Sequence, residues 1–256
     1  TETMIIMGGN PMASNGSVWT VPDFRNRVKS LQSRGGRLIV IDPRRSETAK
    51  IADQHLFIRP AGDVYLMIAL VQHLIELGPR VPAFATGIEA VVDAVSHFNA
   101  EACAEQSGVS LSEIHALADQ MMAGPAVLYG RMGTSTQKHG TLCAWLIALA
   151  NILSGNLDRA GGLVFPTPAV DTVSALAPGS IGRRTSRVSG HPEVLGEFPA
   201  ACMAEEIETP GAGQIKALFV VAGNPVLSTP NGKRLDAALA TLDLMVSVDM
   251  YRNATS

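Results

Sequence analysis

Near its start the chain reads Met4-Ile5-Ile6-Met7-Gly8-Gly9-Asn10-Pro11, and the stretch recurs as Leu218-Phe219-Val220-Val221-Ala222-Gly223-Asn224-Pro225. Each copy is a short apolar run that stops at Gly-Asn-Pro. A helix-like stretch follows each copy, and then a second apolar run, residues 38–41 or 244–248, leads into an aspartate. The pattern predicts strand, turn, helix and strand, twice over. Because open α/β sheets bind ligands at the carboxyl ends of their strands, two similar pockets are expected.

The composition is that of a globular, rather apolar protein. The chain has 256 residues, of which 46% are hydrophobic and 17% charged, and its net charge is -3. This length allows one large domain or two smaller ones, and the charge gives no indication of nucleic-acid or membrane-surface binding. The most apolar stretch, residues 142–153, is too short to span a bilayer and predicts a buried helix.

Neither the cysteines nor the histidines have the spacing of a metal site. Cys103, Cys143 and Cys202 lie far apart in the sequence. The sequence therefore predicts no disulfide framework, no iron–sulfur site and no metal ligand within this chain. Widely spaced free cysteines fit a reducing compartment, so a cytoplasmic location is expected, with export of a longer parent protein left open.

The two Gly-Asn-Pro turns contain residue types suited to a phosphate-bearing ligand. Glycine allows close backbone approach, asparagine can bond its own backbone or a ligand, and proline begins a helix without wasting an N–H group. Asp42 and Asp249 follow the second strand of each unit. A carboxylate in that place can bind a ribose hydroxyl or the N–H edge of a base; a helix N-cap or a surface charge is the alternative.

Further polar residues follow other predicted strands. Gly62-Asp63 precedes a helix, where an N-cap role is sufficient for Asp63 and a ligand role depends on its surroundings. Arg44 could contact phosphate or be solvated, and Arg45 is predicted to be solvated. The turn at residues 130–137 is rich in Gly, Thr and Ser, which favours a polar ligand over a plain loop. It matches neither the GxGxxG fingerprint nor a P-loop.

Several motifs occur in a fixed order along the chain. Besides the two Gly-Asn-Pro units and their second strands, they are Arg59-Pro60-Ala61-Gly62-Asp63, Gly130-Arg131-Met132-Gly133 with Gln137, and Leu153-Ser154-Gly155-Asn156-Leu157-Asp158-Arg159-Ala160-Gly161-Gly162. Together they span nearly all of the chain, from Met4 to Asp249. In this order they resemble the molybdopterin-dependent oxidoreductases of the dimethyl sulfoxide reductase family.

The resemblance implies two molybdopterin guanine dinucleotides, whose dithiolenes hold molybdenum or tungsten. Each guanosine diphosphate arm would be cradled by one of two related α/β domains. By position, one dinucleotide would be bound by Gly9, Asn10, Pro11, Asp42, Arg44, Gly62, Asp63, Met132, Gly133 and Gln137. The other would be bound by Gly223, Asn224, Pro225, Ser247 and Asp249.

The fold class expected is α/β, with two Rossmann-like lobes whose mostly parallel sheets are flanked by helices. This is the type found in the formate dehydrogenase and dimethyl sulfoxide reductase domains. The first lobe is predicted over residues 1–162 and an irregular connecting segment over residues 163–213. Residues 214–256 would form part of the second lobe, whose sheet needs strands from segments outside this chain.

The chain departs from the family pattern at two places. Gln137 is displaced by one residue from its spacing in several relatives, and Ala254 stands where a glutamate often precedes the threonine. The resemblance implies that the metal-ligating residue, the iron–sulfur segment of many members and the C-terminal cap lie outside this chain. A central fragment, inactive alone, is therefore expected. Its parent would carry out two-electron or oxygen-atom transfer on a small-molecule substrate, with an unidentified electron partner.

Two alternatives remain open at this stage. One is a nucleotide- or thiamine-diphosphate-dependent α/β enzyme, although the diphosphate-binding Gly-Asp-Gly motif of the thiamine enzymes is absent from the sequence. The other is a non-catalytic subunit or scaffold of the same fold, against which the two retained Gly-Asn-Pro turns argue mildly. Within the irregular segment, Arg183, Arg184 or Arg187 is hypothesised to lie near an anionic substrate.

Overall fold

The chain folds into two compact units. The structure, a computed structural model, describes residues 1–15, 21–171 and 181–256. Unit 1 comprises Thr1–Pro166 and unit 2 comprises Thr167–Ser256. Each unit contains parallel strands with helices packed on them, which confirms the predicted α/β class.

Unit 1 is built on a four-stranded sheet in which each strand runs parallel to its neighbours, in the order β3-β2-β1-β4. The strands are β1 (Thr3–Met7), β2 (Arg37–Ile41), β3 (Gln54–Leu56) and β4 (Ala126–Gly130). Met7 is in register with Ile41 on one side and Gly130 on the other. Three strands therefore end level at one edge of the sheet, and the turns that follow them adjoin one another.

The helices of unit 1 pack on both faces of this sheet. They are α1 (Pro11–Ser14), α2 (Phe24–Ser33), α3 (Asp63–Glu76), α4 (Ile88–Ser96), α5 (Ala100–Ser107), α6 (Leu111–Ala123), α7 (Met132–Ser135) and α8 (Gly140–Leu153). Helix α8 occurs where its apolar sequence predicted a buried helix, although it begins two residues earlier and only one face is buried, with Leu142 and Trp145 exposed. In the described ranges, no helix has both the length and the apolarity needed to cross a bilayer.

The apolar strands of unit 1 are buried on both faces. Ile5 and Met7 of β1 pack into the cluster formed with α3, α6 and α8, whereas Met4 and Ile6 pack on the opposite side with α2. This is the period-two alternation of a strand, with both faces covered. Double coverage explains why β1 and β2 read as continuous apolar runs in the sequence.

Unit 2 contains an antiparallel strand pair and a parallel strand pair. Its elements are β5 (Ile181–Thr185), β6 (Pro192–Val194), α9 (Met203–Glu208), β7 (Ala217–Val221), α10 (Pro225–Ser228), α11 (Gly232–Leu239) and β8 (Leu244–Val248). Strands β5 and β6 are antiparallel, and β7 and β8 are parallel. Ile207 of α9 packs against Leu235 and Leu239 of α11, which gives the unit a small core.

The segment 163–213, predicted to be irregular, contains regular elements in its described part. These are the β5–β6 pair and α9. Strand β5 is exposed along its whole length and includes Arg183 and Arg184. It therefore lacks the apolar alternation by which a strand is recognised in a sequence, and the prediction missed it.

Candidate functional site

The first Gly-Asn-Pro turn lies where three strands of unit 1 end. Here residues 8–11 are called loop 1. Gly8 N donates to the carbonyl of Ile41 at 3.0 Å, which joins loop 1 to the end of β2. Gly133 N donates to the carbonyl of Gly8 at 3.0 Å, which joins it to the turn after β4. The sequence predicted these three turns as ligand-binding segments, and the sheet brings them together.

The backbones of Gly8 and Gly133 are in direct contact. A Cβ built on Gly8 would lie 2.8 Å from the Cα of Gly133, and one on Gly133 would lie 2.7 Å from the Cα of Gly8. Gly8 also has a φ of 61°, in the left-handed region that favours glycine. Gly133, predicted as a ligand-binding residue, therefore has a structural reason to be glycine.

The side chain of Asn10 fastens loop 1 to the segment after β2. Asn10 is the N-cap residue of α1, yet its side chain makes no capping bond. Its Oδ1 accepts from Thr48 Oγ1 at 2.8 Å and from Thr48 N at 3.1 Å. Thr48 Oγ1 in turn accepts from Met12 N at 3.1 Å. We call this hydroxyl-bridged arrangement the Asn–Thr clasp.

The second Gly-Asn-Pro turn has the same hydroxyl bridge, although Thr255 N donates to Asn253 Oδ1 at 2.9 Å, whereas Thr48 N donates to Asn10. Residues 222–225 are called loop 2. Thr255 Oγ1 donates to Asn224 Oδ1 at 2.8 Å and accepts from Val226 N at 3.1 Å. Ala222 N donates to the carbonyl of Val248 at 2.8 Å, as Gly8 N does to the end of β2.

The backbone of the two loops is the same as well. Asn10 has φ -130° and ψ 67°, and Asn224 has φ -129° and ψ 71°. The residue two positions earlier has a positive φ in both loops, 61° at Gly8 and 50° at Ala222. The repeat in the sequence is therefore a repeat in three dimensions, although loop 2 adopts the left-handed conformation with an alanine.

The clasp threonines were missed in the sequence analysis. Thr48 and Thr255 are buried, at 0% and 7% exposure, and each lies six residues after the aspartate that ends its unit, Asp42 or Asp249. This shared Asp-x5-Thr spacing was the signal that could have identified them.

The aspartates close turns rather than cap helices. Asp42 Oδ1 accepts from Arg44 N at 2.8 Å, and Asp249 Oδ1 accepts from Tyr251 N at 3.3 Å. Both are side-chain-to-backbone turns spanning two residues. The Arg44 guanidinium is exposed and lies 3.7 Å from a carboxylate oxygen of Glu47. Solvated pairs of this kind contribute little to stability.

Asp63 is not the N-cap residue that the sequence predicted. Gly62 is the N-cap of α3, and Asp63 is its first residue, buried and without a capping bond. Burial raises the pKa of the Asp63 carboxyl, the Gln137 side chain opposes this by hydrogen bonding to it, and the nearby charge of Asp42 raises it further. Burial, with Asp63 beside it, also raises the pKa of the Cys143 thiol to about 12. The structure thus brings the side chains of Asp42, Asp63 and Gln137 close together.

A family model described as molybdopterin oxidoreductase matches residues 1–256. The chain belongs to this family. Probable oxidoreductase YyaE of Bacillus subtilis is 24% identical over 264 residues, covering 100% of this chain and 37% of that protein. Formate dehydrogenase H of Escherichia coli is 25% identical over 280 residues, covering 100% of this chain and 38% of that protein.

The fold agrees with a solved structure. Acetylene hydratase from Pelobacter acetylenicus matches with a TM-score of 0.75 and 20% identity, over 97% of this chain and 38% of that one. This likeness concerns the fold. The molybdopterin oxidoreductase chain spans a little over a third of the length of the relatives and the structure that it matches.

In this molybdopterin oxidoreductase chain, the remaining predicted residues have varied surroundings. Ser247 of β8 has a buried hydroxyl with no hydrogen-bond partner in the described ranges. Met132 is 63% exposed. Arg184 pairs with Glu193 at 2.8 Å and Arg187 with Glu206 at 3.1 Å. Two of the three arginines predicted near an anionic substrate are therefore already neutralised inside unit 2, and that role stays a prediction.

No metal-binding cluster is evident in the part of the chain that the structure describes. No group of three or more His, Cys, Asp or Glu side chains there could hold a metal ion. The three cysteines are free and buried. What the two loops offer is hydrogen-bonding groups rather than metal ligands.

Replacing Asp63 by asparagine is expected to stabilise unit 1 at pH 7 by about 1 kcal/mol, the usual size of a single-site effect. The pKa of Asp63 is raised on folding, so the protonated, neutral carboxyl stabilises the folded state. This contribution to the free energy of unfolding is fully present below the ordinary pKa of 3.8 and is lost as pH rises through the raised pKa. The difference in free energy of unfolding between Asp63→Asn and the unchanged protein should therefore approach zero as pH falls below 3.8.

Urea unfolding of both proteins at several pH values would measure this. Asp93→Asn, at an exposed position on α4, is the matched control and should leave the free energy of unfolding nearly unchanged. An Asp63→Asn variant less stable than the unchanged protein at pH 7 would show that the buried carboxylate is ionised and stabilised by its neighbours.

Proposed function

We propose that this chain is the central cofactor-binding portion of a molybdenum or tungsten oxidoreductase that holds two molybdopterin guanine dinucleotides. One guanosine diphosphate arm would lie at loop 1, in a lobe of about residues 1–162. The other would lie at loop 2, in the lobe to which residues 214–256 contribute. The single observation that carries the proposal is the duplicated loop, with matching backbone angles and a matching Asn–Thr clasp.

The free hydrogen-bonding groups of the loops fit a diphosphate. In the described ranges, the backbone N–H groups of Gly9 and Asn10 have no acceptor, and neither do those of Gly223 and Asn224. Gly9 is buried, so its N–H group lacks water as a ready substitute. Consecutive unpaired N–H groups form a concavity that suits an anionic oxygen.

The carboxylates near each loop fit the nucleoside end of the ligand. Asp42 uses one oxygen to close a turn, whereas Asp249 uses one oxygen to close a turn and the other to accept from Asn253 Nδ2 at 3.0 Å. A second oxygen can accept from a ribose hydroxyl or from the N–H edge of guanine. In the second lobe, the unpartnered hydroxyl of Ser247 is a further group that a ligand could satisfy.

The bound cofactor supplies the redox chemistry of the parent enzyme, two-electron or oxygen-atom transfer at the metal. The role of this chain would be to bind the cofactor and to orient it. Its loops would fix the nucleotide arms, and Asp63 and Gln137, which are hydrogen-bonded to each other close to Asp42, would contribute to the first site. The substrate, a small molecule, and the electron partner would be bound by groups outside these two loops.

Thermal stabilisation by guanosine diphosphate tests the proposal. A ligand at about a hundred times its Kd adds roughly 2.7 kcal/mol to stability, which is a readable shift. We expect GDP to stabilise the chain. ADP, which has adenine in place of guanine, should stabilise it much less. NADH and thiamine diphosphate are the controls for the nucleotide-dependent and thiamine-dependent alternatives.

The outcomes separate the candidate functions. Stabilisation by thiamine diphosphate or NADH and not by GDP would contradict the proposal. No response to any of the four ligands would favour a scaffold member of the family that no longer binds its cofactor. Asp42→Asn removes the carboxylate but keeps an amide oxygen for the bond from Arg44 N, so it should reduce the GDP response while leaving the unliganded unfolding temperature nearly unchanged.

A further inference from the structure

The two loops use their asparagines unequally. In both, Oδ1 is held by the clasp threonine at 2.8 Å. The other end of the amide differs. Asn10 Nδ2 donates to Glu47 Oε2 at 2.7 Å. Asn224 Nδ2 has no acceptor within the ranges that the structure describes.

The cause is the residue before each clasp threonine. That residue is Glu47 before Thr48, the threonine that bonds to loop 1, and Ala254 before Thr255, the threonine that bonds to loop 2. The glutamate side chain accepts a hydrogen bond from the asparagine amide, whereas the alanine side chain has no acceptor. Both positions are exposed. The difference between the loops is therefore a surface difference that leaves the core of each unit untouched.

We propose that the residue before the clasp threonine decides whether the loop's asparagine amide is available to a bound ligand. In loop 2 the Asn224 amide is free to donate to an oxygen of the diphosphate, while in loop 1 the Asn10 amide is committed to Glu47. The proposal rests on the proposed function. It makes the loops unequal sites, with loop 2 the tighter one for a diphosphate and Glu47 a residue that sets the specificity of loop 1.

The clasp makes this assignment specific. The amide of Asn10 cannot exchange its oxygen for its nitrogen, because Thr48 N, which can only donate, faces Oδ1. The amide of Asn224 is held the same way round by the bond from the Thr255 hydroxyl to its Oδ1. The NH2 group of each asparagine is therefore the end that meets position 47 or 254. Nδ2 of Asn224 and the N–H groups of loop 2 belong to the same short segment, so one anionic oxygen group can engage them together.

Exchanging the two residues tests the inference. Ala254→Gln supplies an uncharged acceptor for the Asn224 amide and should weaken GDP binding at loop 2 by about tenfold, the loss of one hydrogen bond to a charged group. Glu47→Ala should strengthen GDP binding at loop 1. Glu47→Gln removes the negative charge but keeps an acceptor, so the Asn10 amide should stay hydrogen-bonded to position 47. This variant therefore distinguishes an effect of that hydrogen bond from repulsion between Glu47 and the diphosphate.

Nuclear magnetic resonance of the whole chain gives a reading for each loop. GDP-dependent shifts of the Gly9 and Gly223 backbone amides would yield one Kd for each loop, and guanosine, which lacks phosphates, is the control ligand. Guanosine binding should not respond to Ala254→Gln. Without ligand, the Asn10 side-chain amide should exchange with solvent more slowly than that of Asn224, and Glu47→Ala should remove the difference.

The results distinguish failure of the inference from failure of the proposed function. If GDP perturbs neither loop of the unchanged chain, nucleotide binding itself fails and the inference with it. Two results would overturn the inference while nucleotide binding stands. In the first, GDP binds but Ala254→Gln has the same Kd at loop 2 as the unchanged chain. In the second, Glu47→Ala and Glu47→Gln have equal affinities for GDP at loop 1. Unchanged urea midpoints of the variants would show that the fold is intact.

Discussion

Replacing Gly8 by alanine is expected to lower the free energy of unfolding of unit 1 by about 3 kcal/mol, at the upper end of single-site effects. Two physical causes combine. The added Cβ would lie 2.8 Å from both the Gly133 Cα and the Thr134 N, and these are backbone atoms that cannot move aside as a side chain can. The φ of 61° adds the strain of a left-handed alanine.

Gly35→Ala is the matched control for this experiment. Gly35 also has a positive φ, of 84°, but an added Cβ would meet nothing within 4 Å. This variant should therefore lose about 1 kcal/mol, the backbone strain alone. Urea unfolding followed by tryptophan fluorescence reports on unit 1, because Trp145 lies on α8 of that unit and the sequence of unit 2 contains no tryptophan. Equal losses in the two variants would contradict the close contact between loop 1 and the turn after β4.

Replacing Asn151 by leucine should be about as damaging, with a loss of about 3 kcal/mol. Asn151 is fully buried on α8 and serves the edge strand of the described sheet. Its Oδ1 accepts from Leu128 N at 3.1 Å, and its Nδ2 donates to the carbonyls of Leu128 at 2.9 Å and Ile147 at 2.8 Å. Leucine of similar size would leave the buried N–H and C=O groups of Leu128 unpaired, at a cost of about 1 to 3 kcal/mol for each group.

Hydrogen exchange identifies the cause of that loss. The Leu128 amide hydrogen should exchange with solvent much faster in Asn151→Leu, because it has lost its acceptor, Asn151 Oδ1. Asn26→Leu, at an exposed position on α2, is the control and should change stability by less than about 0.5 kcal/mol. If Leu128 keeps its protection in the Asn151→Leu variant, another group satisfies this edge of the sheet.

Asparagine side chains replace the missing neighbour of β4 along its outer edge. Asn156 lies three residues after the end of α8, in the motif at residues 153–162, and its Oδ1 accepts from Ala126 N at 3.1 Å. With Asn151 it pairs alternate backbone groups of β4 that no strand among the described residues reaches. An unpaired strand edge is otherwise open to association. Nothing in the periodicity of α8 distinguished Asn151 from an ordinary polar residue.

The sequence was informative where one residue type admits few conformations. The apolar runs of β1 and β2 predicted buried parallel strands, and the repeated Gly-Asn-Pro predicted where strands end and helices α1 and α10 begin. Glycine, proline and uninterrupted apolar runs limit the local backbone so strongly that no distant contact is needed to read them.

The sequence was misleading where more than one role suits the same residue. Asp63 precedes an apolar helix and so reads as an N-cap, yet its side chain turns to Gln137 and the cap is Gly62. Strand β5 contains two arginines and no apolar alternation, so residues 163–213 read as irregular. Exposed strands and buried carboxyls have no local signature of their own.

By itself, the sequence determined the α/β class, the duplicated unit and membership of a molybdopterin oxidoreductase family, because apolar period, turn residues and motif order are properties of the chain alone. Tertiary structure decided what the polar groups of each loop do. Thr48 lies 38 residues from Asn10, and Thr255 lies 31 residues from Asn224. A hydrogen bond between residues so far apart exists only when the sheet brings the ends of its strands together, so the clasps, the Gly8–Gly133 contact and the difference between Glu47 and Ala254 became visible in the fold.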